Sequence, residues 1–280
     1  MVAEQKTWGG QIPILQDHAS QLLSLANDIV STRIEPYEAT DLLGVMIDMF
    51  AQKLIDHLKS ICILVDAGQY QDATIIARSS YESMAFLLWS AHGPTGNPRE
   101  SRPLQWFAHE YIDRYHQMEQ YHRLGIEPNP ETEKAIRRGV QEYADLFLTK
   151  DANNAIRRGE VPKKRLFKDR TKFGNIVDEL KEKGLIDPQA HQRYAMLSQW
   201  PHGTSQGMGI VFRNDGKRIS LDKDTCKSLG ADAIIIGIRS LGDTALLFND
   251  HFGLDFRDKL KEHHKSFSEY LQNIRSWGLL

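Results

Sequence analysis

Two charges stand alone in an otherwise apolar stretch. Between Ala73 and Ser90, the sequence ATIIARSSYESMAFLLWS holds only Arg78 and Glu82 as charged residues. Four apart on a helix, they share one face and sit one turn from each other. A helix that is apolar on every side is usually buried, so the pair is expected to lie largely buried, bonded to each other or to a later segment. That later segment is RYAMLSQWPHGT, Arg193 to Thr204. There Tyr194, Ser198 and Trp200 precede Pro201, which ends a helix, and His202 follows in a Pro-His-Gly turn, free to project into a cleft. A guanidinium, a carboxylate and an imidazole are the parts needed for phosphodiester chemistry without a metal. Arginine steadies phosphate oxygens, histidine moves protons, and the carboxylate orients either of them. The same residues also make sense as a structural ion pair beside a helix-capping histidine.

Two further groups could carry chemistry. Arg157, Arg158, Lys163, Lys164, Arg165, Lys168, Arg170 and Lys172 face only Glu160 and Asp169, a local positive pole on a chain of net charge −2. Such a pole suits a phosphate backbone, with Arg157, Arg158, Lys163, Lys164 and Arg165 as candidate RNA contacts; a solvated loop is the plainer account. His109, Asp113 and His116 fall on one helix face, and Glu119 and His122 have Glu-x-x-His spacing. Only one such pair exists, so a polar face explains these residues more simply than a metal cage, and no metal or other cofactor is expected. There is no Walker loop, dinucleotide fingerprint, Gly-x-Ser-x-Gly elbow or His-Glu-x-x-His in the sequence, which removes the ATPase, Rossmann, hydrolase-elbow and zincin readings.

The elements that must position these residues are mostly helical. Pro13 is expected to open a helix to about Ile34, and Pro36 the next. Leu42 to Val65 then keeps helical spacing until Gly68. The Arg78 helix follows after a short turn, predicting an antiparallel hairpin with its predecessor. Further helices are predicted at Pro103–Arg123, Glu131–Thr149, Lys172–Lys183 and Pro188–Trp200, and two more run from Asp222 to Phe252 and from Asp255 to Trp277. Between them, 209–221 alternates around Asn214-Asp215-Gly216 and predicts one small β-hairpin. Asp151 to Arg170 lacks periodicity and reads as a loop or insertion. The expectation is a mainly α helical bundle: an N-terminal helix over 1–35, then a bundle domain over 36–280 carrying the basic loop.

Composition bounds the rest. With 280 residues, 26% charged, the chain can bury a core without disulfides and has no overall pull toward nucleic acid or membrane. Cys62 and Cys226 are far apart and suggest no disulfide framework. The N-terminus has no signal-peptide core, and the most apolar later run, Ala233 to Phe248, is broken by Arg239 and Asp243, so a cytoplasmic, non-membrane protein is expected.

The run Gly68-Gln69-Tyr70-Gln71-Asp72-Ala73, with Ala77-Arg78-Ser79 and Glu82, resembles the G-x-Y-x-x-A…A-R-S-x-x-E helix of a bacterial family of helical proteins, a domain of unknown function. Tyr194, Leu197, Ser198, His202, Gly203 and Thr204 resemble that family's later Y-x-x-L-S-x-x-x-H-[GP]-[ST] segment. More distantly, the G-x-Y-x-x-A helical hairpin is similar to HEPN domains. That likeness implies antiparallel helix pairs and a cytoplasmic homodimer in a toxin–antitoxin or antiviral defence system, with a partner protein from the same operon. For many members it also implies metal-independent cleavage of RNA through an Arg-x4–6-His motif. This chain has three such spacings, Arg102/His109, Arg257/His263 and Arg257/His264, where composition alone gives about two. Arg193 and His202, separated by eight residues, miss that spacing.

Two functions of different class follow. In one, the chain is a metal-independent endoribonuclease: His202 serves as general acid or base on the ribose 2′-hydroxyl, Arg78 stabilises the phosphorane, Glu82 orients Arg78, and Tyr194 and Ser198 complete the site. In the other it is a non-catalytic binding or regulatory subunit, and the same residues are structural. Arg257 and His263 are the second candidate pair for the first function.

Overall fold

The computed structural model describes residues 7–32, 40–96, 101–143, 146, 154, 158, 172–198, 212–214, 219–221 and 223–279. They form a helical bundle: α1 (Trp8–Thr32), α2 (Leu42–Asp66), α3 (Tyr70–Ala91), α4 (Arg102–Arg123), α5 (Pro130–Glu142), α6 (Phe173–Glu182), α7 (Pro188–Leu197), α8 (Lys223–His251) and α9 (Arg257–Ser276). Two three-residue strands, β1 (Phe212–Asn214) and β2 (Ile219–Leu221), pair antiparallel with Phe212 opposite Leu221. The rest of the predicted 209–221 hairpin, its turn included, lies outside the described residues, as does most of the predicted basic loop. The chain divides into two compact units, residues 1–88 with 177–280, and residues 89–176. No helix among the described residues is long and apolar enough to cross a membrane.

In the first unit, α8 packs closely on α1 and α2. Helix α1 supplies Leu15, Ala19, Leu22, Ala26 and Ile29, a buried stripe at helical spacing. Helix α2 supplies Ile47, Leu54, Leu58, Ile61 and Val65. Helix α8 is small where it must come close: a Cβ on Gly237 would stand 2.9 Å from Leu58 Cδ1. Glycine here trades helix propensity for a shorter distance between axes.

Helix ends follow local chemistry. Asp41 caps α2 by accepting from the Gly44 amide at 2.8 Å. That helix closes where Gly68 takes φ +72° and the amides of Gly68 and Gln69 bond back to Val65 and Leu64, the double bond of a Schellman ending. Across the turn, His57 Nδ1 meets Ser80 Oγ at 3.0 Å. Pro13 does not open α1: the helix begins five residues earlier, at Trp8. Proline there removes one backbone bond near the start, where few are yet made, and its ring is exposed.

Helix α7 is fixed to α8 by two exchanged ion pairs. Asp187, the N-cap of α7, receives Arg239 of α8; Arg193 of α7 reaches Asp232 of α8. Positive and negative partners alternate between the helices, so a shifted or reversed α7 would oppose like charges.

In the second unit, Ala108, Ile112, Tyr115 and Met118 of α4 pack with Ile136 and Val140 of α5. The aromatic ring of Tyr111 lies over Gly139, within 2.6 Å of where a Cβ would stand. The Arg102 guanidinium sits 4.1 Å from the Trp89 ring centre, and its Nη1 donates to the Trp89 carbonyl at 2.6 Å.

Candidate functional site

Arg78 and Glu82 meet as their spacing predicts. Arg78 Nε donates to Glu82 Oε1 at 2.8 Å. The Tyr194 hydroxyl of α7 donates to that same oxygen, also at 2.8 Å. One carboxylate oxygen thus ties a guanidinium on its own helix to a phenol on another. The glutamate hydrogen bond is the main reason the Arg78 pKa is raised above its ordinary value. Burial first, and the Glu82 bond second, push the Tyr194 phenol up to about 12, so it stays a neutral donor at physiological pH.

The expected burial is corrected. The side chains of Arg78 and Glu82 keep 25% and 37% of their surface exposed. Helix α3 is not enclosed on every side: Ile75, Arg78, Glu82 and Phe86 form a half-buried to exposed stripe, and Ile75 is 44% exposed. Apolar residues on this stripe hid its exposure from composition. Water can reach the pair, so breaking it costs less than the roughly 3–5 kcal/mol of a fully enclosed one.

Aromatic rings support this network from beneath. Tyr81, one residue before Glu82, stacks on Tyr194 with ring centres 4.7 Å apart. His191 stacks on Tyr194 at 5.7 Å and approaches the Tyr81 hydroxyl at 3.4 Å. Burial, then the nearby Lys181 charge, lower the His191 pKa, which keeps its imidazole neutral.

The other predicted residues fall in different places. The Ser198 hydroxyl donates to Ala195 O at 2.8 Å and so serves the end of its own helix. His202 and Trp200 lie outside the described residues, as do Arg157, Lys163, Lys164 and Arg165; Arg158 is exposed. Arg257 pairs with Asp250 at 3.4 Å, whereas His263 Nε2 bonds the His18 carbonyl at 2.9 Å. Six residues on a helix set the two about 120° apart around its axis, so they do not converge. His109 faces Asp113 at 3.6 Å, and His122 stands 3.5 Å from Glu133. Among the described residues, no group of three or more His, Cys, Asp and Glu side chains is placed to hold a metal ion.

Sequence reasoning missed Asp187, His191, Asp232, Arg239 and Asp243. The signal for two of them was present. Arg239 and Asp243 are isolated charges four apart in an apolar helix, the criterion that singled out Arg78 and Glu82. They differ in outcome, because Arg239 turns to Asp187.

Neither curated proteins nor solved structures give a match to this chain. A family profile described as "Family of unknown function (DUF5677)" matches residues 46–219, a span from α2 to β2 that includes Arg78, Glu82, Tyr194 and Ser198. The match covers well over half of the sequence, and the chain belongs to this family of unknown function.

Proposed function

We propose that the chain is a HEPN-like helical protein of a bacterial defence or toxin–antitoxin system, acting in the cytoplasm as a homodimer and as a metal-independent endoribonuclease. The observation that supports this reading is the Arg78–Glu82–Tyr194 network on a half-exposed helix face. A charged guanidinium is held in one orientation yet remains reachable, as stabilising a pentacoordinate phosphate requires. Tyr194 anchors Glu82 to the helix whose continuing chain leads to His202. In the reaction, His202 takes the 2′-hydroxyl proton, the 2′-oxygen attacks the adjacent phosphorus, and the 5′-oxygen leaves with a proton. The products are a 2′,3′-cyclic phosphate and a 5′-hydroxyl. The basic stretch from Arg157 to Arg165 holds the RNA backbone, and a protein from the same operon is the regulatory partner.

The test is cleavage of single-stranded RNA in EDTA by the purified full chain. Cyclic phosphate ends are expected, and His202→Ala should slow cleavage by about 10²–10⁴-fold. A well-folded His202→Ala variant with full activity moves the site elsewhere.

A second reading, a non-catalytic binding or regulatory subunit, has its own supporting observation. The Ser198 hydroxyl is turned onto its own helix, and the Tyr194–Glu82 bond would serve equally as a strut between α3 and α7. Wild-type protein with no EDTA-resistant activity on diverse RNAs favours this reading.

A further inference from the structure

The first unit contains a cavity of about 540 Å³ bounded by α3, α6, α7, α8 and α9. Its apolar floor includes Met84, Ile186 and Ile236, and its polar wall includes Asp187, Arg239 and Asp243. Lys181, His264 and Ser268 also line it. A second, smaller cavity of about 280 Å³ shares Arg239, Asp243 and His264. Asp243 therefore stands where the two spaces meet.

The polar groups on this wall are unequally satisfied. Asp187 accepts from the Gln189 amide at 2.8 Å with one oxygen and receives Arg239 on the other. That opposes the upward push of burial and leaves its carboxyl below the ordinary range. Asp243 has neither a hydrogen bond nor an ion pair among the described residues, although Arg239 lies one turn away on the same helix. Burial pushes its carboxyl up to about 6, against the partial attraction of Arg239. A carboxylate is an acceptor only, and this half-buried one has its acceptor capacity unmet by any donor among the described residues. Here it faces open space rather than packed side chains.

We propose that this cavity binds a small ligand that carries both a planar edge of two N–H donors and an anionic group. The donor edge pairs with both oxygens of Asp243, and the anion is received by Lys181, His264 and Ser268. Two kinds of compound carry such an edge: a guanine base, as in a guanosine monophosphate, and a guanidinium, as in free arginine. The apolar floor favours a flat group over a hydrated ammonium, and the volume is that of a small-molecule site. Lys181 is available because its ion-pair partner among the described residues is the exposed Asp178, at 3.8 Å. Tyr81 lines this cavity and also stacks on Tyr194, but Arg78, Glu82 and Tyr194 do not line it, and the proposal stands whether or not the chain cleaves RNA.

Titration calorimetry on the full chain at neutral pH tests this with four probes: guanosine monophosphate, L-arginine, adenosine monophosphate and inorganic phosphate. At least one of the first two should bind, about tenfold or more tighter than either of the last two. Guanosine monophosphate alone identifies a base; arginine alone identifies a guanidinium. Asp243→Asn replaces one acceptor oxygen by a donor and should weaken that binding by about tenfold or more. Lys181→Glu, near the protein surface, should weaken it as well and provides the reading if Asp243→Asn does not fold. The proposal is overturned if neither of the first two probes binds, if adenosine monophosphate binds as tightly as guanosine monophosphate with arginine silent, or if folded Asp243→Asn binds as the wild type does.

Discussion

The two sides of α8 solve opposite problems. Toward α1 and α2 it is dry: Ile234, Leu241, Ala245 and Phe248 are buried, and Gly237 brings the backbone close to Leu58 and Ile61. Toward α7 and the cavity it is charged. Asp232, Arg239 and Asp243 are seven and four residues apart, and so fall within about 40° of one another around the helix. Two of the three are paired across to α7. The dry side gains its stability from close packing, which is insensitive to pH and salt. The charged side gives register, and it leaves one carboxylate exposed to a cavity. A single helix can therefore be structural on one face and chemically addressable on the other.

The largest expected effect lies on the dry side. Leu58 is fully buried against the position where α8 has no side chain. Leu58→Ala should destabilise the protein by about 3 kcal/mol, because glycine opposite it cannot swing in to fill the space. Chemical denaturation measures this as a lower midpoint at unchanged slope. A cost under about 1 kcal/mol would show that this side is not close-packed, and the contrast between the two faces would fail.

The charged side should reveal itself through pH. Asp243 has its carboxyl raised to about 6 from an ordinary 3.8. The folded protein therefore binds a proton that the unfolded chain releases. Relative stability is highest below the ordinary carboxylate value and falls as pH rises through about 6. At neutral pH the burden is roughly 3 kcal/mol at most, from about 1.4 kcal/mol per unit. His18, His57, His191 and His264 are all lowered, chiefly by burial, and work with the opposite sign below about 6.5. The informative quantity is thus the difference between wild type and Asp243→Asn across pH 4 to 7. That difference should grow in favour of the variant with rising pH; a flat difference would mean that Asp243 ionises as an ordinary surface acid does.

The helices were legible because their punctuation is local. Gly68 and Gly184 end helices with positive φ, and the predicted spans at Pro103–Arg123 and Lys172–Lys183 match α4 and α6 to within one residue at each end. Pro13 misled because proline is a starting signal only when nothing helical precedes it. Within the site, the Arg78–Glu82 contact was legible from spacing, and Tyr194 from its place in the later motif. The exposure of the α3 face was not, since Ile75 and Phe86 carry no sign in the sequence of which way they turn. The partners of Arg239 and Arg193 were not legible either. They depend on α7 returning along α8, a tertiary relation that no window of sequence contains.

The smallest expected effect separates the two functional readings. Tyr194→Phe removes the hydrogen bond to Glu82 Oε1 at 2.8 Å and the phenol oxygen that also bonds Arg78, and it preserves the ring that stacks on Tyr81 at 4.7 Å. A bond to a charged group is worth roughly 1.5–3 kcal/mol when enclosed, and water around the half-exposed Glu82 lowers that to about 1 kcal/mol. Because Arg78 and Tyr194 share one oxygen, their losses should not add: the double variant Arg78→Ala, Tyr194→Phe should differ from the sum of the single variants by about 0.5 kcal/mol or more. A strut between α3 and α7 would show this coupling in stability alone. An arginine held ready for phosphate would show more. With Tyr194 gone, Glu82 would hold Arg78 less firmly, and RNA cleavage should fall about tenfold in kcat with little change in KM, since orientation matters chiefly in the transition state. Tyr194→Phe with lowered stability and unchanged kcat would instead leave the phenol a structural tie, and the catalytic reading would then rest on Arg78 and His202 without it.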